Sequence, residues 1–531
     1  MNSNVTWIAA LLTTLLLLTG CATKIESVAL ADTALTNGKI YTVDEDNSWA
    51  EAIATKDGEI IYVGSMEGVK AYIGENTKVT DLEGKFAMPS FVDSHLHPLS
   101  NAYAYNFQAS LIDLSTHEEY IATIKEFAEK NPNVNGFMGA GYDRYIYDEL
   151  GPKKEWLDSI DSERPILIID KDIHTAWANS KVFEMLGWNA STPDPQGGVI
   201  ARDPSTGEPT GMLLEMPAID PAWALFAYPT KEEYKTSLLW ISEWLNREGI
   251  TTAHDAWVEM DPSFYNAYNE LAQDGKLTTR YRGSWYIDEA SDYLGDIEYA
   301  LGLSEKFTHP HFQVNSFKFM ADGAGETALL LEGNPEGIKV WEGDALVEAL
   351  SAVDKAGAQI HVHTIGDGAV KYAVEALAKV QEINGERDSR HSIVHVESAR
   401  AEDITKAGEL GLYAHMTPRL IFHGNSFKSL FDANIKVTIG SDWTTSQLDV
   451  LTDIYRGMET NVSLEEMLKA ATINGASANF LEDEIGSLEV GKKADIIVLS
   501  ENLFDIQSKE IPNVDILMAF FEGSLVYEMG Q

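Results

Sequence analysis

The chain has 531 residues, 44% of them hydrophobic and 10% aromatic, enough for a sizeable core, and its 23% charged residues are ordinary for a globular enzyme. Its 83 acidic against 39 basic residues, a formal net charge of -44, argue against nucleic acid or anionic membrane surfaces as partners, since both would be repelled. The single cysteine, Cys21, excludes an intramolecular disulfide and a thiolate metal site.

At the amino terminus, Trp7 to Leu18 form a short apolar stretch, and Thr19, Gly20 and Cys21 complete the motif Leu-Thr-Gly-Cys. The stretch is too short for a conventional spanning helix. It resembles a bacterial lipoprotein signal, in which that cysteine becomes the lipidated first residue of the mature protein. Met1 to Thr6 departs from the pattern by carrying no Lys or Arg, which keeps an uncleaved amino-terminal anchor as the alternative. Both readings place the body of the protein outside the cytoplasm, on a bacterial membrane and held there by its amino terminus.

Residues 33–88 read as short β segments, Gly38 to Val43, Ala52 to Thr55 and Ile60 to Val63, separated by turn signals such as Lys56-Asp57-Gly58. The tail has the same texture in Ile496 to Leu499, Ile516 to Glu522 and Leu525 to Tyr527, so the two ends are expected to meet in one small β-sandwich. Between them, strands alternate with helical patterns, the arrangement of a parallel sheet with crossover helices. Eight candidate strands begin near Phe91, Ile250, Arg280, Val314, Gln359, Ser392, Leu412 and Lys436, with helices such as Ala345 to Lys355 and Val370 to Gln381 between later ones. Eight units predict a (β/α)₈ TIM-like barrel. The first connection holds about a hundred residues beyond a normal one, which predicts an inserted subdomain containing the apolar run Pro165 to Ile169. The expected division is residues 1–21 signal and lipobox, 33–88 plus 485–531 composite sandwich, 89–484 barrel, and 104–235 insertion within the barrel.

The strongest chemical signal is Phe91-Val-Asp-Ser-His-Leu-His97, because residues two apart on a strand share a face and His95 with His97 can hold one metal ion. Alone, His-x-His is as often two surface histidines. Further candidates fall at later strand ends, where such a barrel carries its site. Lys318 lies between two phenylalanines, where a bare ammonium is poorly solvated and its pKa falls. Its neutral amine can capture carbon dioxide to give a bridging carboxylate; the alternative is an ordinary lysine paired with Asp322 or Glu326. His363 and His395 end successive β-rich runs, and His361 points the same way as His363. Asp442 follows the last candidate strand, where a carboxylate can bind metal and accept a proton from the attacking water.

These pieces together resemble the amidohydrolase superfamily, and within it the YtcJ-like branch that includes N-substituted formamide deformylases. The resemblance runs through Leu35-Thr-Asn-Gly-Lys-Ile-Tyr41, Met88-Pro-Ser-Phe-Val-Asp-Ser-His-Leu-His97, Gly249-Ile-Thr-Thr-Ala-His-Asp255, His363-Thr-Ile-Gly-Asp367, Ser441-Asp-Trp443 and Gly486-Ser-Leu-Glu-Val-Gly-Lys-Lys-Ala-Asp495. It implies His95 and His97 on one metal, Lys318 as a carboxylated bridge, His363 and His395 on a second metal, and Asp442 as the catalytic carboxylate. Zinc is the expected identity for imidazole and carboxylate ligands, one ion per chain or two if Lys318 is carboxylated. Gly139-Ala-Gly-Tyr-Asp143, His174-Thr-Ala-Trp-Ala-Asn179 and Gly211-Met-Leu-Leu-Glu215 also fit this branch and are candidate substrate-contacting segments, with Tyr142 and His174 the named candidates beside Trp443 of Ser441-Asp-Trp443; a structural histidine beside Trp177 is the alternative for His174. The expected activity is metal-dependent hydrolysis of a non-peptide C–N bond in a small amide-like molecule. A deaminase or cyclic-amide hydrolase is the alternative in the same superfamily. A non-catalytic binding lipoprotein is the alternative in another class, and the complete set of ligand candidates argues against it.

Overall fold

Eight parallel strands pair in sequence order: β1 (Phe91–Leu96), β2 (Ile250–Val258), β3 (Arg280–Tyr286), β4 (Phe312–Met320), β5 (Gln359–Thr364), β6 (Ser392–His395), β7 (Tyr413–Met416) and β8 (Lys436–Ile439). This computed structural model describes residues 29–112, 114–332, 337–420 and 426–530; Cys21 and the apolar stretch before it lie outside the described residues. The strands are buried along nearly their whole length, as befits a parallel sheet covered by helices outside and filled by side chains within. The helix Ala345–Lys355 coincides with the expected one, and Asp367–Asn384 extends beyond Val370 to Gln381 at both ends.

The ring closes at the seam between β1 and β8 through side chains. Ser94 Oγ lies 2.6 Å from Thr438 Oγ1 and donates to the Ile439 carbonyl at 2.7 Å. One residue on, Gly440 must be glycine, since a Cβ there would sit 2.6 Å from His95 Cβ and 2.8 Å from His95 N. That close approach lets the Asp442 N–H donate to the His95 carbonyl at 2.8 Å. The seam thus sets the position of two functional candidates.

Both ends of the chain contribute to one sheet. Its order is Ser524–Glu528, Ile516–Phe521, Ile496–Leu499, Phe86–Pro89, Lys39–Tyr41 and Trp49–Ala50, with Met88 opposite Ile497 in an antiparallel ladder. A second sheet runs Glu59–Gly64, Ala52–Lys56, Thr33–Thr36 and Lys78–Asp81. Leu35, Ile53 and Ile60 pack with Ala87, Ile496, Val498 and Phe520 between them. A third sheet of six strands lies wholly within residues 109–214, and apolar clusters cover its two faces. Two helices flank its entry and exit, Pro98–Phe107 and Lys231–Arg247, and they touch through Tyr103 and Tyr234, ring centroids 5.6 Å apart. The second is started by a capping box of Thr230 and Glu233 and buries Tyr234, Leu238, Ile241 and Leu245 along one stripe. Among the described residues no helix is long and apolar enough to cross a membrane.

Arg280 joins the barrel floor to the composite sheet. It starts β3, is fully buried, and donates to Asp495 Oδ2 at 2.7 Å and to Glu522 Oε1 at 2.9 Å, with its guanidinium 5.1 Å from the Phe521 ring centre. Burial pushes the Glu522 carboxyl up, but the His311 hydrogen bond and the Arg280 charge outweigh it and hold it at about 2. Arg280→Met should therefore lower the unfolding free energy in a urea titration by about 3–5 kcal/mol, because it leaves carboxylates buried without their cation. Glu522 binds protons less readily folded than unfolded, so its contribution is complete above its ordinary value of 4.5 and disappears as pH falls toward about 2. Glu522→Gln should be less stable than the parent at neutral pH, with the difference closing across that acid window in melts at stepped pH.

Candidate active site

The alternation of β1 decides the first two positions. Leu96 turns into the apolar core, so His95 turns into the barrel mouth, and His97 follows at the point where Pro98 begins the next helix. Asp442 follows β8 in a left-handed backbone conformation, φ 51°, and brings Oδ1 to 3.3 Å from both His95 Nε2 and His97 Nε2. Ligand atoms of these three residues all lie within 4.8 Å of one another. Asp93 stiffens the group from beneath, its Oδ1 accepting the backbone N–H groups of His95 and Ser441.

The other expected residues reach the same place. The His395 ring lies 5.0 Å from that of His95 and 4.8 Å from that of His363, and His174 from the insertion lies 5.3 Å from His363. His395 and Val396 have φ of 72° and 45°, so the end of β6 is strained where it meets the site. Lys318 is buried on β4, and its field acts on His95, His363 and His395. Asp322 is not its partner: that carboxylate accepts the backbone N–H groups of Ile365, Gly366 and Leu329 and lies 3.3 Å from His363 Nδ1.

Burial governs the electrostatics. It draws the Lys318 ammonium down to about 7 against the pull of Asp442, and lowers His395 to about 3. His95 and His363 are likewise held well below the usual imidazole range, so each keeps a lone pair for a cation. His174 moves the other way: burial works against its charge, yet Glu215, with Asp170 and Asp172, raises it to about 9. Its Nδ1 donates to Glu215 Oε2 at 2.7 Å.

Whether these residues suit a metal ion can be tested on their own donors and acceptors. With His95 neutral, its Nε2 and the Asp442 oxygen are bases turned toward one another, and His97 Nε2 stands at the same 3.3 Å from that oxygen. His95 Nε2, 3.3 Å from the Asp442 oxygen, is buried without a hydrogen-bond partner, an arrangement that costs free energy until a cation joins it. Neutral imidazoles with carboxylate oxygen match a divalent transition metal. The residues fit.

Two substrate-contact candidates are already engaged. Tyr142 is fully buried in the insertion with its hydroxyl 2.9 Å from Thr175 Oγ1. Trp443 packs 5.3 Å from Trp244 and 6.4 Å from Trp240, while its carbonyl accepts from Asn101 at 2.6 Å. The sequence marked Glu215 only as the end of a family-like segment and not as the partner of His174; Thr327 also contacts it, and it reaches its place because Gly323 has no Cβ to block it. Sequence reasoning missed the wall formed by Trp257 and Tyr286, rings 3.6 Å apart and 14° from parallel, with Trp257 6.3 Å from His97. Asp93 stood inside the quoted His-x-His motif, two residues before His95, and was legible there.

Comparison with known proteins agrees with this geometry. Residues 78–527 match the amidohydrolase family. The protein LONG AFTER FAR-RED 3 of Arabidopsis thaliana is 29% identical, covering 94% of this chain and 92% of its own. YtcJ of Bacillus subtilis is 27% identical over 92% of this chain and 98% of its own, and N-substituted formamide deformylase of Arthrobacter pascens is 25% identical over 94% and 99%. An uncharacterized metal-dependent hydrolase from Pyrococcus horikoshii shares the fold with a TM-score of 0.68 and 22% identity, over 90% of this chain and 99% of that one. This chain belongs to the amidohydrolase family.

Proposed function

We propose that the chain cleaves the C–N bond of a small amide-like molecule, using a divalent cation, zinc by its ligand chemistry, held by His95, His97 and Asp442. The observation that carries this reading is the convergence of two imidazole nitrogens on one carboxylate oxygen, each at 3.3 Å. A second cation would rest on His363 and His395, with Lys318 as a bridging carbamate; burial draws its amine toward the neutral form that adds carbon dioxide. When bound, the cation polarises the scissile carbonyl and makes water more acidic.

The chain's own groups do the rest. Asp442, anchored by its N–H on the His95 carbonyl, takes the proton of the attacking water and passes it to the departing nitrogen. His174, fixed by Glu215, offers its other ring nitrogen to a polar group of the substrate. Trp257 and Tyr286 supply a flat wall that shelters the reacting atoms from bulk water. In the same reading, residues 33–88 plus 485–531 are the supporting sandwich, 89–484 the catalytic barrel and 104–235 the insertion that covers it. The enzyme works outside the cytoplasm, anchored to a bacterial membrane by lipid on Cys21.

Chelation should abolish hydrolysis and a divalent metal salt should restore it, tested on formamides, N-acyl amino acids and cyclic ureides so that linear amide cleavage is separated from ring opening. Full activity in metal-free protein would refute the reading. Asp442→Asn should cut turnover by about 10²–10⁴-fold at matched metal content and an unchanged melting transition, because the amide cannot accept the proton. For the anchor, Cys21→Ala should stop incorporation of labelled fatty acid in cells; unchanged labelling would remove the lipid from Cys21.

A further inference from the structure

Beneath the site the barrel interior is filled with imidazoles and hydroxyls. His361, His254 and His415 are all buried, and the rings of His254 and His415 lie 5.1 Å and 4.6 Å from that of His361. The His361 plane is within 3° of the His95 plane at a centroid separation of 5.0 Å, while His361 Nε2 and His95 Nδ1 are only 2.8 Å apart. Two rings stacked face to face at that centroid distance could not bring nitrogens so close. The separation equals the nitrogen gap plus roughly two ring radii, so the imidazoles lie edge to edge around a near-linear N–H···N bond.

The direction of that bond can be read from its far end. Ser392 Oγ is 3.3 Å from the Ile360 carbonyl, which can only accept, so the hydroxyl proton points there. Ser392 then accepts from His361 Nδ1–H, 3.0 Å away. His361 is fully buried and its two ring nitrogens face Ser392 and His95, neither of them an anion, so the ring carries one proton, already placed on Nδ1, and its Nε2 is bare. A bare Nε2 needs a donor, and that donor is His95 Nδ1–H. Having placed its proton on Nδ1, neutral His95 turns an unprotonated Nε2 toward Asp442, the atom that has no hydrogen-bond partner.

We propose that His361 is a positioning residue that, through Ser392 and the Ile360 carbonyl, locks His95 in the Nδ1–H tautomer and in the ring plane that offers Nε2 to the cation. This rests on reading His95 as a metal ligand. It gives a function to a histidine that the reaction itself does not use, and it makes the tautomer a property of the folded barrel before any metal arrives.

The test uses the full chain, Zn²⁺ alone as probe in competition with a chelator, and nitrogen-15 spectra of the histidines in metal-free protein. Metal-free parent should show His95 protonated on Nδ1. His361→Gln should bind Zn²⁺ within about threefold of the parent, since its amide can both accept from His95 and donate to Ser392. His361→Phe, similar in shape but with no acceptor, should weaken Zn²⁺ by about 10–100-fold and show mixed His95 tautomers. Ser392→Ala should mix the tautomers with little change in melting. Parent affinity in a folded His361→Phe would overturn the proposal, as would an Nε2–H signal for His95 in the metal-free parent; if the Phe variant does not fold, the parent spectrum decides. His95→Ala with unchanged Zn²⁺ affinity would instead strike down the ligand reading, and the proposal with it.

Discussion

The mouth of the barrel has to hold several bases together in a dry place with no proton shared among them. Two imidazoles face one carboxylate oxygen, and a third and fourth imidazole stand within 5.0 Å and 4.8 Å ring to ring. Left to itself such a group would swing apart or take up protons. What prevents this is backbone: Gly440 pressed on His95, the Asp442 N–H on the His95 carbonyl, and Asp93 clamping the N–H groups of His95 and Ser441. Left-handed conformations at His395, Val396 and Asp442 are part of the same compromise, strain tolerated at strand ends because the packed helices around them leave no other path.

The polar interior extends that constraint downward. An aliphatic filling would pack the barrel more cheaply, because each buried imidazole must find partners. His254 finds them in Asn479 and Ser284, and His415 in Thr438, which is itself part of the seam through Ser94. The group that closes the barrel and the group that orders its histidines are therefore one network, and a disturbance at Thr438 reaches both.

Much of this was legible in the amino-acid sequence because it follows from local rules. The parity of a strand puts His95 and His97 on one side, and the spacing of apolar runs placed all eight barrel strands at or within two residues of where they begin. Lys318 announced itself through its phenylalanine neighbours. What local rules could not supply was register. His174 and Glu215 are 41 positions apart and meet because the strands Thr175–Ala178 and Pro209–Leu214 pair antiparallel with Thr175 opposite Leu214. Nothing in either segment encodes that offset, so Glu215 was visible as the end of a family-like segment but not as the partner of His174. Register likewise decides that the Tyr142 hydroxyl meets Thr175 and that the Trp443 backbone carbonyl meets Asn101, contacts that neither residue's own segment encodes. Asp322 looked like a counter-ion for Lys318 because charge is visible in a sequence, whereas the three backbone N–H groups it accepts are not.

The sheet that draws on both ends of the chain also sets an order of events. Phe86–Pro89, which runs straight into β1, pairs with Ile496–Leu499 on the other side of the entire barrel. While the polypeptide emerges from the ribosome, that early strand has one edge without a partner until nearly the last residues are made. The ion pairs of Arg280 with Asp495 and Glu522 are delayed in the same way. Loop-closure entropy over such a span makes the late step slow. A nascent chain thus stays incomplete and open-edged throughout its synthesis, and the barrel floor is sealed only when the tail arrives to act as its latch.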